Sequence, residues 1–499
     1  MVRSGWILGL FGLWVATAAA QPQVTLTNGQ VVAGRLADDV ASYLGVPYAQ
    51  APVDQLRWQP PQPAKATDAV LQATDFGPAC MQPVVQDVAG ATFSEDCLSL
   101  NVWAPSNAEK APVMVWIHGG GFRFGSGRIA GERFAREGVV LVSINYRMGP
   151  LGFFAHPALG SSVANFGLLD MEAALQWVQR NADRFGGDPD RVTIFGVSAG
   201  GMAVSLLMVS ARTEGLFHKA IMQSTYSTWP LLRTQTAPAA SAPGDAGLNP
   251  AATAEQFAEA VAKRAGAADQ TAAALRALSA EQLVNALDGF QLPLVDGHSL
   301  EEEPWALFER GRVRRIPVLV GGNSYEGAVM PMSGISEEQF RSLVGEHDVA
   351  LRDAYGADFA HSDQQGYQRA FGDYRYLLAA WHTADAMSAL GQSARFYYVD
   401  LHQPPMGTPL GTPHGFDARL LWGAATPHPV QGPLGDRMRD AWIRFASDAV
   451  GSKDTFWPEW DPAKPMWWVL SEQDRTEAAF LIDKIRVLQA MHLHRVDGG

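Results

Sequence analysis

The stretch RVTIFGVSAGG, residues 191–201, contains the pattern that decides the fold. Residues 191–195 form an apolar, β-branched run that predicts a buried strand, and the small residues of 199–209 predict a helix. Glycine stands two positions before and two positions after Ser198, where any side chain would collide with the backbone of so tight a turn. The pattern predicts a nucleophilic serine on a strand–turn–helix elbow, and the alternative is a glycine-rich connection without chemistry.

Strands and helices alternate on both sides of this elbow. Continuous apolar runs predict buried strands at 113–117, 139–144 and 316–321. The spacing of apolar residues predicts a helix over 170–185. Such alternation is typical of an α/β fold with a mostly parallel central sheet and helices on both faces.

The segment at about 233–310 interrupts the alternation. It opens with an Ala-, Pro- and Gly-rich stretch at 234–250, which predicts a surface loop, and continues with helical patterns at 252–265 and 270–277. We expect a helical cap or lid insertion packed over one end of the sheet. The C-terminal part is predicted to be mostly helical, most clearly at 438–449 and 475–491.

Composition limits the class of protein. The chain has 499 residues, of which 47% are hydrophobic and 18% charged, as in ordinary globular proteins. Its formal net charge of −13 without a basic stripe argues against a nucleic-acid partner. We expect one catalytic domain over 21–499.

The N-terminus predicts export. Arg3, the apolar run at 5–16 and three alanines at 18–20 are typical of a secretory signal peptide over 1–20, with an uncleaved anchor as the alternative. No later stretch is apolar enough to predict a membrane span, so the protein is expected to be secreted. In an oxidising compartment Cys80 and Cys97, the two cysteines of the chain, are expected to be bridged, the alternative being two free thiols. The lack of an Asn-x-Ser/Thr site favours a bacterial source, which leaves periplasm and medium open.

A second glycine-rich loop, HGGGF at 118–122, directly follows the strand predicted at 113–117. Its chemistry requires glycine because the backbone itself must approach a substrate oxygen. We predict that the amides of Gly120, Gly121 and Ala199 form an oxyanion hole. His118 is expected to orient this loop and not to act as a base.

A serine nucleophile requires a base and an orienting acid, which follow it in the order serine, acid, histidine in folds with this elbow. His414 stands late in the chain before a glycine and is favoured over His428, His402 and His382. Glu326 follows the strand predicted at 316–321 and is favoured as the acid. Asp296 is its competitor from the residues alone, and either acid could instead be an ordinary turn residue.

Several segments together resemble the type-B carboxylesterase family, which also contains cholinesterases and some lipases. The matching segments are EDCLSLNV at 95–102, FGGDP through the elbow at 185–201, NYR at 145–147, GVPYA at 45–49, AIMQS at 220–224 and WIRFA at 442–446. The resemblance covers nearly everything from about residue 23 to 470. It implies the α/β-hydrolase fold.

The resemblance also implies roles for individual residues. The nucleophile of the family falls on Ser198, its acid on Glu326 and its histidine on His414, while its first disulfide falls on Cys80 and Cys97. The oxyanion donors of the family fall on Gly120, Gly121 and Ala199. A buried serine that supports the acid falls on Ser224.

Departures from the cholinesterases of this family argue against choline esters. Val197 replaces a glutamate before the nucleophile, and the stretch between Cys80 and Cys97 is short, with Phe93 as its only aromatic residue. A quaternary ammonium is normally held by aromatic faces. Residues 328–330, AVM, also lack the aromatic side chains of cholinesterases. Met171 and Thr225 also differ from the family but do not touch the chemistry directly.

These residues predict a serine carboxylesterase that acts on small-molecule esters through an acyl-enzyme and needs no cofactor or metal. A lipase of the same family is the alternative. A non-catalytic adhesion or binding protein on this fold is a remote alternative, because such proteins usually lose a residue of the triad. The substrate, amidase or transferase activity and the oligomeric state are left open.

Overall fold

A computed structural model describes residues 21–84, 90–237, 253–402, 408–422, 431–447, 457–478 and 481–497. The predicted signal peptide and most of the predicted loop at 234–250 lie outside these residues. Among the described residues, no helix is both long and apolar enough to span a bilayer.

The strands are β1 Gln23–Thr25, β2 Val31–Ala33, β3 Arg35–Ala37, β4 Val40–Pro47, β5 Leu71–Gln72, β6 Ala79–Cys80, β7 Phe93–Ser94, β8 Ser99–Pro105, β9 Ala111–Ile117, β10 Val140–Ile144, β11 Gly187–Val197, β12 Lys219–Gln223, β13 Val318–Asn323, β14 Ala394–Val399, β15 Met466–Leu470 and β16 Arg475–Ala478. The α-helices are α1 Glu132–Arg136, α2 Gly149–Gly152, α3 Phe166–Asn181, α4 Ala199–Val209, α5 Ala254–Arg264, α6 Ala272–Ala277, α7 Ala280–Asn285, α8 Pro304–Glu309, α9 Met330–Ser333, α10 Glu337–Val344, α11 Asp348–Ala354, α12 Gly356–Phe359, α13 Asp363–Gly372, α14 Leu378–Ala389, α15 Phe416–Trp422, α16 Gln431–Ser447 and α17 Ile482–Asp497.

The central sheet has 11 strands in the order β16-β15-β14-β13-β12-β11-β9-β10-β8-β4-β3. Pairing is parallel from β10 through β15 and antiparallel at both ends of the sheet. The mostly parallel sheet predicted from the sequence is therefore confirmed. The parallel register brings the carboxyl ends of β9, β11, β12 and β13 to one edge, where sites of open α/β sheets form.

Alternate residues of β9 show how the two faces are covered. Val113, Val115 and Ile117 lie in one buried cluster with side chains of α3 and α4. Met114 and Trp116 lie in a second cluster with side chains of α1 and α16. Because successive side chains of a strand point to opposite faces, a run that is apolar throughout is what a sheet covered on both sides requires.

The insertion contains the helices α5, α6 and α7. Their apolar side chains form a separate cluster with Trp58, Phe154 and Phe166. Further along the insertion, the backbone of Gly289 accepts a hydrogen bond of 2.8 Å from the Arg123 guanidinium, close to the HGGGF loop. The insertion is therefore anchored beside the predicted oxyanion hole.

The prediction of a mostly helical C-terminal part is wrong in two respects. Residues 475–478 form the strand β16, and the helix predicted over 475–491 begins only at Ile482. The C-terminal part also supplies β14 and β15, whose short apolar runs extend the parallel sheet. A short apolar run has no period that distinguishes a buried strand from a helix, and here pairing across the sheet decides. The helix predicted from residue 170 begins earlier, at Phe166.

Candidate active site

The elbow places Ser198 in a conformation that side chains rarely adopt. Its φ of 56° and ψ of −119° turn the chain sharply from β11 into α4. A Cβ added to Gly196 would lie 2.6 Å from the Ile117 carbonyl oxygen, and one added to Gly200 would lie 2.0 Å from the same atom. Both glycines are therefore required for the close approach of β9, as the sequence predicted.

The structure brings the three predicted triad residues together. Nε2 of His414 lies 2.8 Å from Oγ of Ser198. Nδ1 of the same ring contacts Oε2 of Glu326. The loop that carries His414 is joined to the segment before Glu326 by a 2.8 Å hydrogen bond from the Tyr325 amide to the Thr412 carbonyl. One imidazole thus connects a hydroxyl with a carboxylate.

Glu326 is a buried carboxylate with a full set of partners. It is 1% exposed, and its Oε1 accepts hydrogen bonds from the Ser224 hydroxyl at 2.7 Å and the Asn323 amide at 2.6 Å. Burial raises the pKa of Glu326, but His414, Ser224 and Asn323 outweigh burial and hold the pKa below its usual value. The group therefore stays charged next to His414.

The predicted oxyanion donors lie on the loop that follows β9 and at the start of α4. Gly120 and Gly121 have φ values of +106° and +62°, which favour glycine. Ala199 is the first residue of α4, where amides lack partners within the helix. None of these three amides donates a hydrogen bond to another described residue. Three free donors beside a hydroxyl form a suitable site for a developing oxyanion.

His118 holds the oxyanion loop. Its Nδ1 lies 2.9 Å from the Gly119 carbonyl oxygen, and its ring stacks on Tyr146 with centroids 4.3 Å apart. Burial lowers the pKa of His118 to about 4, so the ring is neutral at neutral pH. These contacts fit the orienting role predicted for it.

The competing candidates make other contacts. Asp296 accepts hydrogen bonds from the amides of Ala164 at 2.9 Å and Ser299 at 2.8 Å, which places it in a structural turn. Among the histidines, His402 pairs with Asp400, His382 pairs with Glu309, and His428 lies outside the described residues.

Two residues beside the triad were not identified from the sequence. Asp417 is fully buried and accepts hydrogen bonds from the Tyr397 hydroxyl at 2.6 Å and the Gln223 amide at 3.0 Å. Burial and the charge of Glu326 raise its pKa. Tyr376 lies with its ring centroid 4.4 Å from that of His414. The only available signal was the position of Asp417 three residues after His414, and nothing in the sequence marks Tyr376.

One further group could hold a metal ion. Possible ligand atoms of Glu346, His347 and His494 lie within 4.8 Å of one another. The contact of 3.5 Å between Nδ1 of His494 and a carboxylate oxygen of Glu346 accounts for this proximity. The group carries no assignment.

Comparison with known proteins finds a family that matches most of the chain. Residues 20–484 match the carboxylesterase family. The chain is 36% identical to fumonisin B1 esterase of Sphingopyxis macrogoltabida, over 91% of this chain and 88% of that protein. It is 33% identical to para-nitrobenzyl esterase of Bacillus subtilis (strain 168), over 87% and 92% of the two chains. A solved structure of PNB esterase superposes with a TM-score of 0.79 and 29% identity, covering 94% of this chain and all of the other.

Proposed function

Because the chain belongs to the carboxylesterase family and is a carboxylic-ester hydrolase of the α/β-hydrolase fold, we propose that Ser198, His414 and Glu326 are its catalytic triad. The observation that carries the proposal is the pair of contacts of His414. One ring nitrogen lies 2.8 Å from Oγ of Ser198 and the other contacts Glu326. This is the arrangement in which an imidazole removes a proton from serine while a carboxylate fixes its tautomer.

The first step of the reaction is acylation. His414 takes the hydroxyl proton as Oγ of Ser198 attacks the ester carbonyl carbon. Glu326, which is held charged, stabilises the imidazolium that forms. His414 then donates the proton to the leaving alcohol oxygen, and an acyl-enzyme remains.

The tetrahedral intermediate carries its negative charge on the former carbonyl oxygen. The amides of Gly120, Gly121 and Ala199 donate to this oxygen, and the loss of one such donor costs about a hundredfold or more in rate. In the second step water replaces the alcohol. His414 removes a proton from that water as its oxygen attacks the acyl carbon. Collapse of the second intermediate breaks the bond to Oγ of Ser198, which takes the proton back from His414, and the acid is released.

The substrates are proposed to be small esters. Three relatives are named for esters of different kinds: fumonisin B1 esterase, para-nitrobenzyl esterase and the cholinesterase of Mus musculus. To the last of these the chain is 30% identical, over 91% of its length and 83% of that protein. For this chain, the residues that differ from cholinesterases argue against choline esters.

The experiment compares hydrolysis of p-nitrophenyl acetate, butyrate, octanoate and palmitate by the wild-type protein and Ser198→Ala. We expect turnover by the wild type only, with a profile that favours short acyl chains. Preference for palmitate would instead indicate a lipase. Equal rates for both proteins would show that Ser198 is not the nucleophile.

Export is also proposed, with residues 1–20 as a signal peptide and 21–499 as the mature catalytic domain. The disulfide between Cys80 and Cys97 supports this proposal because such bonds persist in oxidising compartments. N-terminal sequencing of the protein exported by a bacterial host tests it. A mature start near Gln21 is expected, and accumulation of the uncleaved chain in the cytoplasm would contradict it.

A further inference from the structure

Arg375 is a buried cation with no anionic partner among the described residues. Its side chain is 1% exposed, it forms no ion pair with a described carboxylate, and its Nε is fully buried without a hydrogen bond. A buried charge is normally paired, because removal from water costs several kcal/mol. Arg375 therefore has an unmet requirement for an anion.

Five aromatic rings surround the guanidinium and form what we call the aromatic cage. Their centroids lie 4.4–5.9 Å from Cζ of Arg375, and the rings belong to Tyr226, Trp229, Phe290, Phe371 and Tyr376. Aromatic faces attract a cation through the ring quadrupole, but they carry no net negative charge. The nearest possible acceptors for the N–H groups of the guanidinium are the neutral hydroxyls of Tyr226 and Tyr376, and neither supplies a negative charge.

The aromatic cage adjoins the proposed catalytic residues on two sides. Tyr376 packs on the ring of His414. Burial raises the pKa of Tyr376 to about 12, against the opposing effects of Arg375 and Ser198, which lie near its hydroxyl. On the other side, a Cβ on Gly121 would lie 2.1 Å from the ring of Phe290. The cation is therefore separated from the nucleophile and the oxyanion loop by single side chains.

Unsatisfied polar atoms cluster in the aromatic cage. The hydroxyls of Tyr226 and Tyr376 are buried, and neither makes a hydrogen bond of normal geometry with a described residue. With Nε of Arg375 they form three polar groups that require a partner. Arg375 and Tyr376 lie in the π-helical turn Asp373–Leu377, a type of turn that is frequent at functional sites.

We propose that the aromatic cage binds a carboxylate carried by the ester substrate, with Arg375 as its counter-ion. The planar guanidinium matches the two oxygens of a carboxylate, and the tyrosine hydroxyls can donate to the same anion. The inference rests on the proposed function and narrows its substrates to esters that bear a second, free acid group. The carboxylate can stand on the acyl or the alcohol side, and the two arms of the test distinguish these cases.

The test uses isosteric pairs of esters and follows acid release in a pH-stat. The acyl arm compares monoethyl glutarate with ethyl 5-methylhexanoate, and the alcohol arm compares 4-acetoxybutanoate with 4-methylpentyl acetate. The ratio of kcat/KM, charged over neutral, is measured for the wild type, Arg375→Met and Arg375→Lys. Arg486→Met, which alters an exposed ion pair with Asp483, controls for the change in net charge.

In one arm we expect Arg375→Met to lower the ratio at least about tenfold, because a hydrogen bond to a charged group is worth about 1.5–3 kcal/mol. Arg375→Lys should lower it less, and Arg486→Met should leave it unchanged. A ratio that is the same in Arg375→Met and the wild type in both arms would overturn the proposal.

Folding and the proposed function are checked separately. Titration with diethyl p-nitrophenyl phosphate counts competent serines in each variant, so the ratios refer to folded enzyme, and retained activity of Ser198→Ala would contradict the triad and not the aromatic cage. If the Arg375 variants do not fold, competitive inhibition of the wild type decides. Glutarate should then inhibit at least about tenfold more tightly than uncharged glutaramide, and equal inhibition would overturn the proposal.

Discussion

Glu326 and Arg375 are opposite charges that are each 1% exposed, and both lie next to the layer formed by His414 and Tyr376. Glu326 has partners for both of its oxygens, supplied by His414, Ser224 and Asn323. Arg375 has aromatic faces and no described anion. Two equally buried charges therefore differ in their partners: Glu326 is fully paired, and Arg375 has no opposite charge among the described residues.

This difference in partners separates a buried charge that is paired within the chain from one that can be paired by a ligand. A buried charge is strongly destabilising without a partner. Glu326 has its partners within the chain, so it needs no group from a substrate. Arg375 has no such partner among the described residues, so a bound ligand with a negative charge would stabilise it. We infer that Glu326 serves every ester that reaches Ser198, whereas Arg375 selects among them.

The largest effect is expected when the compensated charge is removed. In Glu326→Gln the amide no longer stabilises an imidazolium and allows the wrong tautomer of His414, so kcat should fall about 10⁴-fold, for charged and neutral esters alike. Steady-state kinetics on p-nitrophenyl butyrate checks this. Glu309→Gln, at a half-exposed ion pair with His382, is the control and should stay within about twofold. A loss smaller than about tenfold in Glu326→Gln would remove Glu326 from the triad.

A third buried ionisable group, His118, avoids a buried charge because its ring is neutral at neutral pH. The pKa of His118 is lowered to about 4, whereas an unfolded histidine takes up its proton near pH 6.5. The unfolded state therefore binds more protons between these values, and the free energy of unfolding should fall as the pH falls through that window, by about 3 kcal/mol at most.

Urea unfolding of the wild type and His118→Gln at pH 7, 5.5 and 4.5 measures this loss. The variant should show a smaller decrease in unfolding free energy across the series, even though its stability at pH 7 is lower. Parallel curves for the two proteins would show that folded His118 takes up its proton as readily as the unfolded residue, which contradicts the lowered pKa.

The sequence could predict features that depend on local pattern. The elbow was identified because strand, glycine turn and helix are contiguous around Ser198, and the parallel sheet was identified from repeated apolar runs. Glu326 and His414 were favoured by their order in the chain and their positions after predicted elements, and the resemblance to a family then strengthened both assignments over their competitors. Their separation of 88 positions in the sequence leaves no local signal of their contact.

The aromatic cage could not be predicted in this way. Its rings come from three separate segments of the chain, at 226–229, 290 and 371–376. Arg375 and Tyr376 lie in a π-helical turn, which no pattern of apolar residues in the sequence indicates. The strand β14 was missed for a related reason, since its identity depends on pairing with β13 and β15. Features fixed by long-range contacts require the structure.

A smaller effect is expected from one supporting bond of Glu326. Ser224→Ala removes the 2.7 Å hydrogen bond to Oε1 but leaves the Asn323 amide and His414 in place. A hydrogen bond to a charged group is worth about 1.5 kcal/mol at the low end, so kcat should fall about tenfold. The pKa of Glu326 should rise, and the acidic limb of the pH–rate profile should move upward. A rate loss without any change in that profile would point to a packing defect, which Ser224→Cys would rescue.

The smallest effect concerns Tyr376, which lies on the boundary between the two regions. Its ring packs on His414, while its hydroxyl has no hydrogen bond of normal geometry and lies near both Ser198 and Arg375. Tyr376→Phe keeps the ring and should lower kcat/KM for the charged ester about fivefold, with a smaller change for its neutral isostere, because Arg375 and Tyr226 still hold the carboxylate when this one donor is lost. Tyr226→Phe is the matched variant, because the Tyr226 ring contacts the same cation, with its centroid 4.7 Å from Cζ of Arg375. Tyr376→Phe could instead lower kcat/KM equally for both esters while Tyr226→Phe does not. That result would assign the Tyr376 hydroxyl to the chemistry at Ser198 and not to the aromatic cage.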